Sequence, residues 1–455
     1  MMLCGVADRL GNKGAKKESE KLDLIKEILS LRLEGRCSII SISRLLIRKG
    51  YGHTSIGYIS ELLSGLGSEL SPLIVSGAPI HVMVVFASDE VYAKQKPILI
   101  TVDPCSSAIL CMEQADDRGR QSWQEHWQSL LEQGIMPLYL TNDEGRGMRS
   151  ASDTTLEGVA RQSDSFHALA HRLGPVCWTL ERQAYQAIDW EYERQRVLQS
   201  AKSKRVRAKR KRAYKQAVAE AKRRMELYDN FHLIYQMMIE CLQVFDRNGQ
   251  VRQASQAQKD LETAMEWMED LGCQKANEQL VVIKGLVPSL FHFLEYGLQV
   301  VQTLEGSLKT EWKKQAFKIV CKAWQCRKNM LKAKKGAIKK YYRLKHLYWL
   351  ELGAKVFEQS QSGFETFQKR IYKSLDSIVQ SSAMVETINS IIRLYLNDCK
   401  NQVTQPQLNL IRFYHNHRKY VQGKRKGFSP MELLTGQKQD EDWLDLLLQK
   451  LKIAA

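Results

Sequence analysis

Apolar positions recur at two different periods along this chain, and the change of period divides it. Leu22, Ile25, Ile28 and Leu29 stand at helical spacing and predict a helix over Leu22–Leu33, ended by Gly35. Ile40–Arg48 predicts a second short amphipathic helix, closed by Lys49-Gly50, and Thr54 reads as the cap of a third, Ser55–Leu66. Three short helices with a Gly-containing turn before the third fit a helix-turn-helix. Its third helix would enter a major groove with Tyr51, His53, Thr54, Ser55 and Tyr58 near the leading edge, Ser55 and Tyr58 reading bases. The alternative is a three-helix unit that binds no DNA.

From His81 the period shortens. His81–Phe86, Pro97–Val102 and Ala108–Glu113 are short apolar runs bounded by turn residues, and they predict three neighbouring strands. Gln121–Gln133 carries Trp123, Trp127, Leu130 and Leu131 on one helical face; Gly134 stops it, and Met136–Thr141 predicts a fourth strand. Strand, strand, strand, helix, strand opens an RNase H-like fold, a mixed α/β sheet covered by helices. Between Ala168 and Tyr372 the pattern is helical throughout, with breaks at Asn248-Gly249, Leu271-Gly272 and Gly285–Pro288. Helix resumes over Ser381–Asn397, and a loop over Gly423–Gly436 precedes an amphipathic helix around Trp443–Leu451.

Composition adds class. Hydrophobic residues make up 44% and charged residues 26% of 455, enough for sizeable cores. No apolar run approaches the roughly 20 residues of a bilayer span, and Met1–Lys16 is too polar for a secretory signal. The ten cysteines contain no Cys-x-x-Cys pair and read as reduced, so a cytoplasmic protein with no membrane partner is expected.

Charge is uneven. The net charge is +18, yet Lys202–Arg224 holds twelve Lys/Arg against Glu220 alone, and Lys309–Lys345 fourteen against Glu311 alone. The rest of the chain is therefore net acidic. Two stripes almost without acids are what a polyanion-binding surface requires, with Lys204, Arg205, Arg207 and Arg210 in one and Lys334, Lys335, Lys339 and Lys340 in the other as phosphate contacts. Two solvated helix faces are the bland alternative.

Two acids fall at strand ends. Asp89 follows the first apolar run and Asp143 closes the fourth, 54 residues later. If those strands are neighbours, both carboxylates leave one sheet edge, and with a third acid they can hold two divalent cations. Asp after a strand is also an ordinary turn residue. Asp103, in Thr101-Val102-Asp103-Pro104, is a rival for the first acid.

The third acid comes with a resemblance. Ser382-Ala-Met-Val-Glu386-Thr-Ile-Asn389-Ser-Ile-Ile-Arg393 resembles the Glu-bearing helix of DDE transposases and retroviral-type integrases, in which a basic residue often follows the Glu by two turns; Arg393 and Asn389 share its face. Phe413-Tyr-His-Asn-His-Arg418 and Gly423-Lys424-Arg425-Lys-Gly-Phe-Ser429-Pro-Met-Glu432-Leu-Leu434 resemble the basic stretch and Gly-x-Ser-Pro-x-Glu-Leu-Leu of bacterial insertion-sequence transposases. Asp164-Ser-Phe-His167 resembles the Cys/Asp-x-x-His signature of transposases with an α-helical insertion, such as the hAT and Mutator-like groups; His167 could equally be a helix-start residue.

The resemblance implies an RNase H-like core interrupted by a large all-α insertion and preceded by a helix-turn-helix. Its parts would be a polar tail (1–20), the DNA-binding domain (21–78), the first part of the core (79–167), the insertion (168–372), the rest of the core (373–436) and a terminal helix (437–455). It implies a two-metal transposase with Asp89, Asp143 and Glu386 as catalytic metal ligands. Two Mg²⁺ ions, replaceable by Mn²⁺, would serve cleavage at transposon ends and strand transfer. Partners would be duplex DNA, as transposon ends and target, and further copies of the chain in a homodimer or larger synaptic complex on the bacterial nucleoid. Asn389, Arg393, His167, Arg418, Lys424 and Arg425 would touch DNA. A silent transposase acting as a DNA-binding regulator and an RNase H-type nuclease are the alternatives.

Overall fold

The chain forms two compact units, one continuous and one not: Met1–Arg161 joins Ser381–Ala455 in the first, and Gln162–Gln380 is the second. The computed structural model describes residues 14–74, 81–142, 145–357 and 361–453.

In the first unit the N-terminal segment gives α1 (Gly14–Leu33), α2 (Ile39–Arg48) and α3 (Ile56–Ser68). The cap of α3 is Ser55, not Thr54: Ser55 Oγ accepts from the Tyr58 amide at 3.2 Å. β1 (Val82–Ala93), β2 (Lys96–Val102) and β3 (Ile109–Gln114) follow, then α4 (Arg120–Glu132), β4 (Ile135–Asn142) and α5 (Arg146–Thr155). A short β5 (Arg161–Ser163) completes a five-stranded sheet of order β3-β2-β1-β4-β5. The β1–β2 and β2–β3 pairs are antiparallel and β1–β4 is parallel.

β1 corrects the sequence reading, which ends that strand at Phe86. The strand continues through Asp89 and Glu90 because β2 pairs with it to the end, Asp89 opposite Ile100 and Val91 opposite Ile98. Alternation then sorts its side chains. Ala87, Val91 and Ala93 join one core with Ile98, Ile100 and Met112, whereas Val84 and Phe86 join another with Trp123, Trp127 and Leu130 of α4.

The first of these cores also holds the first and last of the described helices. α14 (Ala383–Asp398), α15 (Gln405–His417), the short α16 (Pro430–Thr435) and α17 (Trp443–Lys450) close the first unit. Ile28, Leu46 and Leu63 of α1–α3 are buried with Ile388, Tyr395, Leu408 and Leu447. Tyr395 donates to the Leu33 carbonyl at 2.6 Å and Trp443 Nε1 to Glu34 at 2.6 Å. Gly67 of α3 lies so near α15 that a β-carbon there would sit 2.0 Å from the Pro406 carbonyl oxygen. The three-helix segment is thus built into the sheet's core.

The second unit is helical: α6 (His171–Gln199), α7 (Lys204–Cys241), α8 (Ala254–Asp270), α9 (Gln274–Leu286), α10 (His292–Gly306), α11 (Glu311–Lys332), α12 (Gly336–Val356) and α13 (Gln361–Leu375). The expected breaks at Asn248-Gly249 and Leu271-Gly272 fall between helices, where Gly249 and Gly272 adopt φ of 81° and 66°; at Gly285–Pro288 helix α9 runs on to Leu286 and Val287–Ser289 is a single 3₁₀ turn. By length and composition Gln274–Gly306 could cross a membrane. It is two helices, and its Leu280, Ile283, Phe293 and Leu294 lie in the unit's core with Leu261, Phe317 and Trp324.

Candidate active site

Asp89 sits inside β1 on the face toward α14. There Asn389 Nδ2 donates to Asp89 Oδ2 at 2.7 Å, and Asp89 Oδ1 accepts the Glu90 amide at 2.8 Å. Residues 300 apart in sequence meet, because Val385, Ile388 and Ile392 of α14 press into the sheet's core. Glu386 lies in the first turn of α14, three residues before Asn389. At a rise of ~1.5 Å per residue, the Glu386 backbone stands about 4.5 Å along the axis from the residue holding Asp89.

Asn389, expected on DNA, is 1% exposed and bonded to a carboxylate instead. Its Oδ1 is buried with no hydrogen-bond partner among the described residues. Arg393 is exposed one turn farther along α14. Asp143 lies outside the described residues. The strand leading to it pairs with β1 as far as Ala87 opposite Thr141.

Glu90 points to the other face of β1 and pairs with Arg118 at 2.6 Å. An open cleft lies there, lined by Glu90, Arg118, Trp123, Arg146 and Met148.

Asp103 does different work. It is 3% exposed, and its carboxylate accepts the Cys105 amide at 3.2 Å and the Ser106 amide and hydroxyl at 2.8 and 2.6 Å. It ties the turn between β2 and β3 and has both oxygens engaged.

The C-terminal motif is largely structural. Ser429 and Glu432 form a capping box: Glu432 N–H donates to Ser429 Oγ at 3.2 Å and Ser429 N–H to Glu432 Oε2 at 2.6 Å, with Pro430 at the helix start. Burial works against the charged Glu432, but the Gln439 and Ser429 amides hold its carboxyl below the usual range. Arg425, expected on DNA, donates to the Pro104 and Cys105 carbonyls at 2.9 and 3.0 Å. Arg418 lies over Tyr414 and Tyr420, 5.5 and 5.6 Å from the ring centres, and Lys424 is exposed. On α3, Ser55 is exposed while its oxygen caps the helix, and Tyr58 is half-buried against His53.

In the second unit Asp164 caps the helix that follows, accepting the Phe166 and His167 amides at 2.7 and 3.0 Å. His167 is half-buried in the π-helical turn Phe166–Ala170, its ring 5.3 Å from that of His171. Of the basic stripes, Lys204, Arg205, Arg207, Lys334, Lys339 and Lys340 are exposed, with no acidic partner among the described residues. Arg210 caps α6 through the Val197 carbonyl at 2.8 Å, and Lys335 stands 3.7 Å from Glu181. Tyr341 and Tyr348 are 51% and 59% exposed among the lysines of α12, and Lys345 Nζ lies 4.6 Å from the Tyr341 ring centre.

Sequence reasoning missed the Asn389–Asp89 bond and the burial of Asn389. Only an apolar stripe at 385, 388 and 392 hinted that Asn389 shares the buried side of α14. Comparison with models of known protein families and with curated proteins found no match.

Proposed function

We propose that the first unit is an RNase H-like catalytic core, that the second is its all-α insertion, and that the chain is a DDE-type transposase. The observation that carries this reading is the bond between Asn389 and Asp89, which ties the helix bearing Glu386 to the strand bearing Asp89. The parallel β1–β4 pair adds to it, since β4 ends at Asn142, directly before Asp143.

Asp89 and Glu386 offer hard carboxylate oxygens, the donors Mg²⁺ takes, and the unpartnered Oδ1 of Asn389 adds a third oxygen nearby. Asp89, Glu386 and Asp143 would hold the ions, which supply activation of the attacking water or 3′-hydroxyl and neutralisation of the leaving oxygen. The protein's own part is positional. Asn389 fixes the Asp89 carboxylate, and Arg393, two turns after Glu386, offers a guanidinium for the scissile phosphate.

The exposed cations of α7 and α12 would bind the DNA backbone, with Tyr341 and Tyr348 adding stacking surface. Duplex DNA on the bacterial nucleoid is the partner in this reading, with at least two copies of the chain joining two ends. The test is incubation with Mg²⁺ and DNA carrying the flanking terminal repeats. Joined products are expected, and they should vanish with Asp89→Asn. Joining by that variant at the wild-type rate would overturn the reading.

A further inference from the structure

The face of the sheet turned away from Asn389 holds a second group of metal-ligating side chains. Cys111 and Glu113 lie two apart on β3, so they share a face, and His126 of α4 packs over them. Cys111 Sγ, a Glu113 carboxylate oxygen and a ring nitrogen of His126 all lie within 4.8 Å of one another. His126 Nδ1 is 2.7 Å from Glu113 Oε1. Cys111 and His126 are fully buried, and Glu113, with its side chain 26% exposed, opens the group to solvent.

The remainder of the network orients the histidine. His126 Nε2 is 2.9 Å from Thr101 Oγ1, Thr101 Oγ1 is 2.8 Å from Ser88 Oγ, and Ser88 Oγ accepts Trp127 Nε1–H at 3.2 Å. With Nδ1–H donating to Glu113, Nε2 faces the Thr101 hydroxyl, which accepts the imidazole proton once a cation takes Nδ1, the arrangement found behind metal-bound histidines.

Burial and, after it, the Glu113 carboxylate raise the Cys111 thiol pKa well above the ordinary value, and the fully buried guanidinium of Arg412 works the other way, so a bound cation would have to displace the thiol proton. Arg412 gives Nη2 to the Ser71 carbonyl at 2.9 Å, while its Nε and Nη1 have no partner among the described residues.

We propose that Cys111, Glu113 and His126 bind one zinc-class cation, pinning β3 to α4. Binding releases the thiol proton to solvent and shifts the imidazole proton from Nδ1, where it bridges to Glu113, to Nε2, facing Thr101. Three protein donors leave a fourth position for water. A thiolate and an imidazole select zinc over magnesium, so this site is chemically distinct from the carboxylates by Asn389 and lies on the opposite face of the sheet.

Cobalt tests it directly, because a cobalt–thiolate bond has a near-ultraviolet charge-transfer absorption that an oxygen-only site lacks. The full chain, stripped of metal under reducing conditions, should take up one equivalent of Co²⁺ with that absorption and lose it to stoichiometric Zn²⁺. Cys111→Ser should abolish the absorption, and Asp89→Asn should leave it intact. Absence of the absorption in folded wild-type protein, or its persistence in Cys111→Ser, would overturn the proposal. Should Cys111→Ser not fold, Glu113→Gln at the half-open rim decides: cobalt affinity should fall at least ~10-fold, and unchanged affinity would overturn it.

Discussion

Asn389 and Asp89 are joined by a 2.7 Å hydrogen bond in which the amide donates and the carboxylate accepts. Asn389→Ala should therefore slow DNA cleavage about 10- to 100-fold, the usual loss for a group that orients a metal ligand. Affinity for DNA should stay near wild type, because the residue is buried. Asn389→Asp should also move the activity profile to higher pH, since a like charge beside Asp89 raises its pKa. A pH–rate series on wild type and both variants, with affinity measured in parallel, checks this; equal losses in rate and affinity would return Asn389 to a DNA-contacting role.

The choice between Asp89 and Asp103 is open to the same assay. Asp89→Asn and Glu386→Gln should each abolish cleavage, and the pair together should cost little more than either alone. Asp103→Asn should remain active but melt earlier, because one carboxylate oxygen that accepts both an amide and a hydroxyl of Ser106 becomes a donor, a loss of about 1–3 kcal/mol. A dead Asp103→Asn of normal stability would reverse the assignment.

The basic stripes should show themselves through salt. Replacing Lys204, Arg205, Arg207 and Lys209 with alanine should weaken binding to any duplex and flatten the plot of log affinity against log salt by about 0.9 per lost phosphate contact. Unchanged slope would leave these exposed cations to solvent. Arg393→Ala should instead lower the cleavage rate at saturating DNA more than it lowers affinity.

Acid should loosen the first unit through two histidines of α15. Burial holds His415 and His417 each at about 4, down from 6.5. Both are neutral in folded and unfolded chains above 6.5. Between 6.5 and about 4 the unfolded chain takes up protons that the folded one refuses, so stability falls as pH falls through that window. The His415→Gln/His417→Gln double variant should have a shallower decline of denaturation midpoint between pH 7 and 4.5. An unaltered decline would assign acid sensitivity to other groups.

Much of the sheet could be read from the chain, because each strand core is a run of consecutive apolar residues with turn residues at both sides. The end of β1 could not. Ser88, Asp89 and Glu90 are polar, and only pairing with β2 keeps them extended. α15 also escaped: its Asn409, Arg412, His415 and Asn416 look like a solvated face, yet all are buried because they bond to backbone groups of distant segments, as Asn409 does to Gly67 and Leu70. At the site, the spacing of Glu386, Asn389 and Arg393 placed three side chains on one helix face. Which of them turns inward depends on what that helix packs against. The Gly-x-Ser-Pro-x-Glu stretch was visible as a motif, and its capping box gives it a local reason to exist.

Gly67 against Pro406, and Glu34 against Trp443, bear on how the molecule is made. Helices α1–α3 share their core with α14, α15 and α17, all of which are synthesised after the second unit. Residues 162–380 can collapse as a continuous block while the ribosome is still working. The flanking sheet must wait with one apolar face bare, and a chain truncated before Ala383 should give a soluble helical fragment joined to an aggregation-prone remainder.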